Sequence, residues 1–438
     1  MQKFIIEGGN RLCGEVTLAG AKNSGFKLMI AGLLSEEESK IGNFSKIGDV
    51  VSTAKIIEEL GGKVTFRKNH HLEVRGANLN KFELSEKHGR LSRASTYFVG
   101  PLLARFGKAI IPVPGGCKIG RRSIDWHLEG FKALGANFKY FGDYCLIEAS
   151  KLKGATYRFP KNTHGGTDVM IIASVLAEGA TLLENAALEP EVDDLIAFLN
   201  QMGAKIKRLP NRRILIQGVK KLKGTSHQVM PDRNEAVTFA CVALITKGDV
   251  FVRKANPKVL TAFLDKIKEI KGGYEVSREG IRFFYKHPLR PSQVITAPYP
   301  GFMTDWQALW TVLMTQAQGT STVHETIFEN RFGYVPDLIK MGAKIELFNP
   351  EVDSPQDYYN FNWEDNKQEY FHAVKILGPT NLWASQLNIG DIRAGATLIL
   401  AALVAKGKTE LLGVEHIFRG YENLDERLRT LGAKIQRE

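Results

Sequence analysis

The stretch Met202-Gly203-Ala204-Lys205-Ile206 decides the fold, because the same pattern recurs along the whole chain. In each copy a large apolar residue precedes a small turn, and a short strand follows the turn. The other copies begin at Leu60, Leu134, Ile270, Met341 and Leu431. Copies spaced by about 70 residues indicate one supersecondary unit that is used six times.

Two helical patterns accompany each turn. One is amphipathic and ends at the turn, where glycine is typical of a helix stop. The other is apolar on all sides, which predicts a buried helix. The predicted buried helices span residues 26–34, 94–103, 169–177, 236–245, 306–314 and 394–404. Short β-branched runs, such as residues 108–113, predict strands between them. We therefore predict an α/β fold of six units in two pseudo-symmetric lobes of three.

Composition limits the class of protein. The chain has 438 residues, enough for two or three domains, and its hydrophobic content of 44% is ordinary for a globular protein. We expect no membrane insertion and a cytoplasmic location, because no apolar run approaches the ~20 residues of a membrane span and no signal peptide is recognisable. The net charge of +12 fits nucleic acid, a membrane surface or a polyanionic substrate. Since the basic residues are scattered, a solvated basic surface is favoured over nucleic-acid binding.

A glycine-rich loop at residues 114–122, PGGCKIGRR, contains the most reactive side-chain chemistry in the sequence. Its thiol, Cys117, is flanked by Lys118, Arg121 and Arg122, and positive neighbours favour the thiolate. Arginines on such a loop also bind phosphate or carboxylate groups. The loop predicts a reactive cysteine beside an anion site. The alternative is a small buried hydrophobic residue on a basic turn.

Polar residues cluster where the predicted helices begin. A helix N-terminus attracts anions, so cations there are unfavourable without a negative partner. The cations at these positions are Lys22, Arg93, Arg122 and Arg393. We predict that they bind an anionic ligand, the alternative being that each reaches solvent or a nearby carboxylate. Asp305, next to Thr304, is interpreted either as a helix cap or as a proton acceptor.

Taken together, these residues are similar to the UDP-N-acetylglucosamine 1-carboxyvinyltransferase family of enolpyruvyl transferases. The resemblance covers nearly the whole chain and is carried by Ala21-Lys22-Asn23, the loop Pro114-Gly115-Gly116-Cys117 to Gly120, Arg122 with Asp125 and His127, the run from Phe302 to Asp305, and Phe328-Glu329-Asn330-Arg331-Phe332. It implies two inside-out α/β barrel domains of three repeated units each, with the active site in the interdomain cleft. The implied domains are residues 22–230, and residues 1–21 together with 231–438.

The resemblance also implies a reaction. The enolpyruvyl group of phosphoenolpyruvate would move to the 3-hydroxyl of UDP-N-acetylglucosamine, releasing phosphate, with no metal or organic cofactor. Cys117 would protonate the methylene carbon, and Asp305 would take the hydroxyl proton. Lys22, Arg122 and Arg393 would hold phosphoenolpyruvate, with Asn23 beside them. The further residues implied to bind substrate are Arg93, Ser123, Ile124, Asp125, Trp126, Lys161, Asn162, Thr163, His164, Ile327 and Arg331.

Three positions depart from the residues usual in that family, namely Ser123, Trp126 and His164. They leave a different UDP-sugar or nucleotide open as the acceptor. A non-catalytic nucleic-acid-binding protein on the same fold is the alternative of another class, motivated by the basic charge. Residues 349–370 are rich in Asp, Asn, Pro and Tyr, which predicts an inserted surface loop. The sequence makes no prediction of the oligomeric state.

Overall fold

The computed structural model describes residues 2–89, 93–113, 124–390 and 392–438. These residues divide into two compact units. The first contains 2–19 and 231–438, and the second contains 20–113 and 124–230. Each unit has its own hydrophobic core of helices and sheets. The predicted α/β fold class is confirmed.

Apolar helices fill each core, as the continuous apolar runs predicted. In the first unit the helices α8, α10 and α13 pack against one another, and in the second unit α4 packs against α6. Helices and strands are numbered in chain order, and the core helices are α1 (Lys22–Gly32), α4 (Val99–Phe106), α6 (His164–Ser174), α8 (Arg233–Ile245), α10 (Thr304–Met314) and α13 (Ile392–Val404). None of the described helices is long and apolar enough to cross a membrane.

A second set of helices is amphipathic, and each ends at one copy of the repeated turn. They are α2 (Gly48–Glu59), α5 (Asp125–Ala133), α7 (Pro190–Gln201), α9 (Thr261–Glu269), α11 (Val335–Lys340) and α14 (Leu424–Thr430). Two further helices have a single turn each, α3 (Glu86–Gly89) and α12 (Pro355–Tyr358). Short 3₁₀ helices occupy Arg93–Phe98, Pro257–Val259, Trp363–Asp365 and Val414–Arg419.

Small sheets cover the helices of the second unit. In spatial order their strands are β13 (Ser226–Gln228), β3 (Ser39–Gly42), β5 (His71–Arg75) and β4 (Lys63–Arg67); β11 (Lys205–Leu209), β12 (Arg213–Gln217), β10 (Ala180–Glu184) and β9 (Thr156–Arg158); and β6 (Lys108–Pro112), β8 (Tyr144–Glu148) and β7 (Asn137–Phe141). In each four-stranded sheet one edge pair is parallel and the other pairs are antiparallel.

The first unit has three sheets of four strands. They are β21 (Gln386–Asn388), β22 (Lys408–Leu412), β1 (Lys3–Glu7) and β23 (Lys434–Arg437); β15 (Gly273–Val276), β16 (Gly280–Phe284), β14 (Asp249–Arg253) and β2 (Cys13–Thr17); and β17 (Gln293–Ile295), β18 (Gly319–His324), β20 (Ala373–Gly378) and β19 (Lys344–Phe348). Strand β1 lies between β22 and β23, and the backbones of Lys3 and Glu438 exchange two hydrogen bonds.

The repeated turn has one backbone conformation in all six copies. The residue after the last apolar one has a positive φ, with values of 93° at Gly61, 87° at Gly135, 103° at Gly203, 102° at Gly342 and 103° at Gly432. In the fourth copy Lys271 occupies this position with a φ of 63°. Glycine adopts such angles at little cost, whereas the Cβ of lysine makes them unfavourable.

The predicted α-helix at residues 94–103 is only partly correct. The chain forms a 3₁₀ helix over Arg93–Phe98 and becomes α-helical at Val99. Pro101 explains the break, because proline lacks the N–H that an uninterrupted helix would need at that position. In the first turn of a helix that starts at Val99, this N–H has no helical partner anyway.

The prediction of a surface loop at residues 349–370 is wrong in part. Tyr359 and Phe361 in this segment are only 1% and 6% exposed. The Tyr359 ring stacks on Trp363 at 5.1 Å, and its hydroxyl lies 3.1 Å from Nε2 of His324 on β18. A composition rich in tyrosine indicated a polar loop, but these aromatic rings instead build a small core of their own against the sheet.

Candidate active site

Asp305 is the second residue of α10 and is held by an arginine from a neighbouring segment. Its Oδ1 accepts a hydrogen bond of 3.0 Å from Nη2 of Arg331. The arginine side chain is 3% exposed, whereas that of Asp305 is 15% exposed. The ring of Phe328 lies against the guanidinium, with 5.2 Å between Cζ and the ring centroid. The carboxylate is therefore oriented from the protein interior while part of it faces solvent.

The interpretation of Thr304 and Asp305 as a helix cap is wrong. The N-cap residue of α10 is Met303, with no side-chain cap. Thr304 Oγ1 instead donates to Oε2 of Glu325 at 2.8 Å. Glu325 is fully buried, and burial raises the pKa of its carboxyl group although Arg331 is nearby. These contacts make the start of α10 part of a buried polar network.

The same glutamate fixes the backbone at Ile327, another predicted substrate contact. Its Oε1 accepts hydrogen bonds from the backbone N–H of Ile327 at 2.8 Å and of Phe328 at 3.1 Å. The Ile327 residue is partly exposed. Asp305, Arg331 and Ile327 are thus brought together around Glu325, a residue that the sequence analysis did not select.

In the second unit, Lys22 is the first residue of α1. Its Nζ lies 2.8 Å from Oδ2 of Asp49 in the first turn of α2, and its side chain is 23% exposed. In this structure the cation thus meets a nearby carboxylate, which was the alternative to an anionic ligand. Asn23 is partly exposed in the same turn.

Cys117, Arg122 and Ser123, together with the glycine-rich loop, lie outside the described residues. Arg93 begins a 3₁₀ helix, and Arg393 is the second residue of α13. Within the described ranges, no group of His, Cys, Asp or Glu is arranged to hold a metal ion.

The predicted nucleotide contacts at 124–126 begin helix α5. Ile124 is the N-cap residue and is 5% exposed, whereas Asp125 is exposed and begins the helix. The backbone carbonyl of Trp126 accepts a 2.7 Å hydrogen bond from the hydroxyl of Tyr157 on β9. Burial raises the pKa of that hydroxyl to about 12, so it stays a donor at neutral pH.

The second predicted nucleotide segment leads into α6. Thr163 is the N-cap residue, and its Oγ1 accepts a hydrogen bond of 3.1 Å from the backbone N–H of Gly166. Asn162 Nδ2 donates to the carbonyl of Asn185 at 3.2 Å. Lys161 is partly exposed. This segment is therefore tied to the core on one side and is accessible on the other.

His164, the first residue of α6, belongs to a buried charged cluster that the sequence analysis missed. Its Nε2 lies 2.8 Å from Nζ of Lys27 and 3.4 Å from Oδ2 of Asp168. Lys27 also forms an ion pair with Asp168, and the two residues are 2% and 0% exposed. The available signal was a charge inside each of two core helices, Lys27 in α1 and Asp168 in α6, because opposite charges in one core require each other.

Comparison with known proteins identifies the fold and the family of the chain. Two solved structures superpose over all of the chain, which shows the fold. The enolpyruvyl transferase NikO from Streptomyces tendae matches with a TM-score of 0.87, at 22% identity and over 98% of its own chain. EPSP synthase from Acinetobacter baumannii matches with a TM-score of 0.72, at 18% identity and over 100% of its chain.

The sequence matches the family described as EPSP synthase (3-phosphoshikimate 1-carboxyvinyltransferase) over residues 6–428. The chain belongs to this family of enolpyruvyl transferases. Two relatives named UDP-N-acetylglucosamine 1-carboxyvinyltransferase are each 40% identical over 100% of this chain. One is from Halothermothrix orenii, covered over 100% of its length, and the other is from Yersinia pestis (strain Pestoides F), covered over 99%. The resemblance inferred from the motifs is confirmed.

Proposed function

We propose that the chain transfers the enolpyruvyl group of phosphoenolpyruvate to the 3-hydroxyl of UDP-N-acetylglucosamine, the first committed step of peptidoglycan synthesis. The observation that carries this proposal is 40% identity, over the whole chain, to relatives named for that reaction. We also propose a cytoplasmic location, with 22–230 and 1–21 plus 231–438 as the two functional domains.

Asp305 is proposed as the base that accepts the proton of the sugar 3-hydroxyl. A general base must lie within hydrogen-bond reach of its proton and must be correctly oriented. The 3.0 Å contact from the buried Arg331 supplies this orientation, and the partial exposure of Asp305 leaves access for the sugar. Arg331 then acts through Asp305, as a positioning residue.

The remaining roles are proposed from the family resemblance. As the sugar oxygen attacks C2 of phosphoenolpyruvate, the Cys117 thiol gives a proton to the methylene carbon, which yields a tetrahedral ketal. The C2–O bond to phosphate then breaks, the methyl group returns a proton to the Cys117 thiolate, and the double bond forms again with release of phosphate. Lys22, Arg122 and Arg393, with Asn23, hold the carboxylate and phosphate groups, since fixed cations stabilise charge that develops there.

Lys22 has a specific part in this proposal. In the structure its ammonium is paired with Asp49 at 2.8 Å. Phosphoenolpyruvate would then bind as a second anion beside this ammonium. Segments 124–126 and 161–164, together with Arg93, Ser123 and Ile327, are proposed to contact the nucleotide sugar.

An acceptor panel tests the proposed function. Purified protein is incubated with phosphoenolpyruvate and one of UDP-N-acetylglucosamine, UDP-N-acetylgalactosamine, UDP-glucose or no acceptor, and phosphate release is measured. We expect release only with UDP-N-acetylglucosamine, and a product larger than that acceptor by one enolpyruvyl group in mass spectrometry. The Asp305→Asn variant is the inactive control.

Two results would contradict the proposal. Release with another UDP-sugar, but not with UDP-N-acetylglucosamine, would refute the acceptor and leave the enolpyruvyl transfer intact. If no acceptor supports release and the protein retards duplex DNA or RNA in a gel, the nucleic-acid alternative motivated by the charge of +12 would replace it.

A further inference from the structure

The buried cluster of Lys27, Asp168 and His164 has a defined hydrogen-bond direction. A lysine ammonium has three donors and no acceptor. At 2.8 Å from Nζ of Lys27, the Nε2 atom of His164 must therefore supply its lone pair. A protonated imidazole would place two N–H donors against each other at this distance. His164 is thus neutral, and its single ring proton is on Nδ1.

Asp168 keeps the ammonium in place. It is fully buried on the next turn of α6 and forms an ion pair with Lys27. The pKa of Asp168 is raised to about 7, chiefly by burial; Lys27 lowers it, and the nearby carboxylates of Glu189 and Glu191 contribute to the rise. Without Lys27 this carboxylate would have no described cation beside it. Loss of the ion pair between Lys27 and Asp168 would therefore also disrupt the contact of Lys27 with His164.

The imidazole also reaches the surface. The side chain of His164 is 23% exposed although its Nε2 edge faces a buried pair. It is the last residue of the segment 161–164, which the proposed function assigns to the nucleotide sugar. The ring therefore links an interior ion pair to the surface where the acceptor substrate would bind.

We propose that Lys27 and Asp168 are positioning residues, which hold His164 as the neutral Nδ1–H tautomer so that it donates a hydrogen bond to an oxygen of the nucleotide sugar. The proposal rests on the proposed function for the identity of that ligand. It makes His164 a residue that contributes to acceptor binding and leaves the binding of phosphoenolpyruvate unchanged.

The first test reads the tautomer directly and needs no substrate. Protein with ¹⁵N-labelled histidine is examined by long-range ¹H–¹⁵N correlation, and the His164 signals are assigned by their loss in His164→Gln. We expect a protonated Nδ1 and an unprotonated Nε2 in the wild type. In the variant Lys27→Met with Asp168→Val, which replaces the ion pair by apolar side chains, we expect the proton to move to Nε2. An Nε2–H tautomer in the wild type would overturn the proposal.

The second test separates acceptor binding from folding. In Lys27→Met with Asp168→Val we expect KM for UDP-N-acetylglucosamine to rise about tenfold, the size of one hydrogen bond to a charged group. KM for phosphoenolpyruvate and the melting temperature should change little. The matched control is Lys151→Met with Glu178→Val, an exposed pair in the same unit, whose ions are 2.6 Å apart. Unchanged KM for the acceptor would overturn the proposal.

Side-chain replacements at His164 give a further comparison. An asparagine amide can occupy the position of Nδ1, whereas a glutamine amide reaches that of Nε2. We therefore expect His164→Asn to bind the acceptor more tightly than His164→Gln, and the reverse order would contradict the proposal. If the wild type releases no phosphate with any acceptor, the proposed function fails. In that case the affinity of the same variants for UDP is measured by calorimetry. Together with the tautomer measurement, it tests the role of His164 independently of the reaction.

Discussion

Arg331 Nη2 donates to Asp305 Oδ1 at 3.0 Å from a guanidinium that is almost wholly buried. The same nitrogen lies 3.4 Å from the backbone carbonyl of Thr304, so the arginine contacts the first turn of α10 at two points. The planar guanidinium also lies against the Phe328 ring, and this packing fixes its direction. The position of the carboxylate is therefore determined by the protein before any substrate arrives.

Asp305→Asn should lower kcat by roughly 10²–10⁴-fold, the usual contribution of a general base. The amide keeps the shape of the side chain but cannot take the hydroxyl proton. Phosphate release with saturating substrates measures the effect. The control is Asp249→Asn, which removes the carboxylate of an aspartate–arginine pair at 2.6 Å, partly exposed at the surface of the same unit. Equal losses in the two variants would contradict the role of Asp305.

Arg331→Lys should lower kcat by up to about 100-fold, because a misplaced catalytic group costs that much. Lysine keeps the positive charge, but its ammonium sits on a flexible stem and lacks the planar guanidinium that lies against the Phe328 ring. Substrate KM values should change less than kcat, since the side chain is 3% exposed. Arg282→Lys, at the exposed partner of Asp249, is the matched control. A large rise in KM with full kcat would instead indicate direct substrate binding by Arg331.

Fosfomycin is an epoxide that alkylates the cysteine of the UDP-N-acetylglucosamine 1-carboxyvinyltransferases that the loop at 114–122 resembles. It should inactivate the protein with one adduct per chain, located at Cys117 by mass spectrometry. Cys117→Asp should keep some activity and resist the compound. Cys13 is exposed and is the matched control, so Cys13→Ser should stay sensitive. Cys145 is buried, and burial raises the pKa of its thiol to about 11, so it should not react. Full sensitivity of Cys117→Asp would refute the role of this thiol.

Lys271→Gly should raise the free energy of unfolding by about 0.5 kcal/mol. Removing the Cβ at a φ of 63° relieves about 1 kcal/mol of backbone strain, part of which is offset by the greater freedom of glycine in the unfolded chain. The opposite change, Gly432→Ala at a φ of 103°, should destabilise the same unit by more than 1 kcal/mol. A Cβ there would meet Arg11 O at 3.8 Å, an ordinary contact. Urea unfolding measures both, and shifts of equal sign would contradict the strain argument.

The aromatic cluster of the 349–370 segment should make stability depend on pH. His324 and His372 pack against Tyr359 of this cluster. The pKa of each is lowered to about 4, chiefly by burial, and for His372 the neighbouring His324 contributes to the fall. In the unfolded chain a histidine has a pKa of about 6.5. Between these values the unfolded chain binds more protons than the folded one. Stability should therefore fall as the pH drops from about 6.5 to about 4, and these groups should have no effect above that range.

Urea midpoints at pH 7.5, 6.0 and 5.0 test this dependence. His372→Phe keeps an aromatic ring but removes one imidazole, so its midpoint should fall less steeply with pH. The control is His287→Phe at an exposed position, which should follow the wild type. A slope for His372→Phe equal to that of the wild type would contradict the expected linkage.

Local patterns predicted most of the architecture because they are repeated. Each copy of the turn, such as those after Leu60 and Met202, predicts the end of a helix and the start of a strand. The continuous apolar runs predict the core helices. The errors occur where one residue overrides a pattern. Pro101 interrupts an apolar helix, and Tyr359 buries a ring within a segment of polar composition.

The candidate site was predictable where helix starts carry unusual residues, as at Lys22 and Asp305. Contacts between residues far apart in the sequence were not predictable, because nothing in the local sequence links Lys27 to Asp168 or Glu325 to Thr304. Buried charges inside apolar helices are the one local sign of such partners, since a core cannot accommodate them singly.

Strand β1 places a constraint on synthesis. Among the described strands, residues 3–7 pair with 408–412 and 434–437, so β1 cannot pair until these much later residues have been synthesised. At roughly 5–20 residues per second this delay is on the order of tens of seconds. The described strands of the second unit, by contrast, all lie between residues 39 and 228, so they are available once residue 230 has been made. Synthesis in chain order therefore favours folding of this unit first, while the apolar residues Phe4 and Ile6 of β1 stay without their partner strands until residues 408–437 have been made.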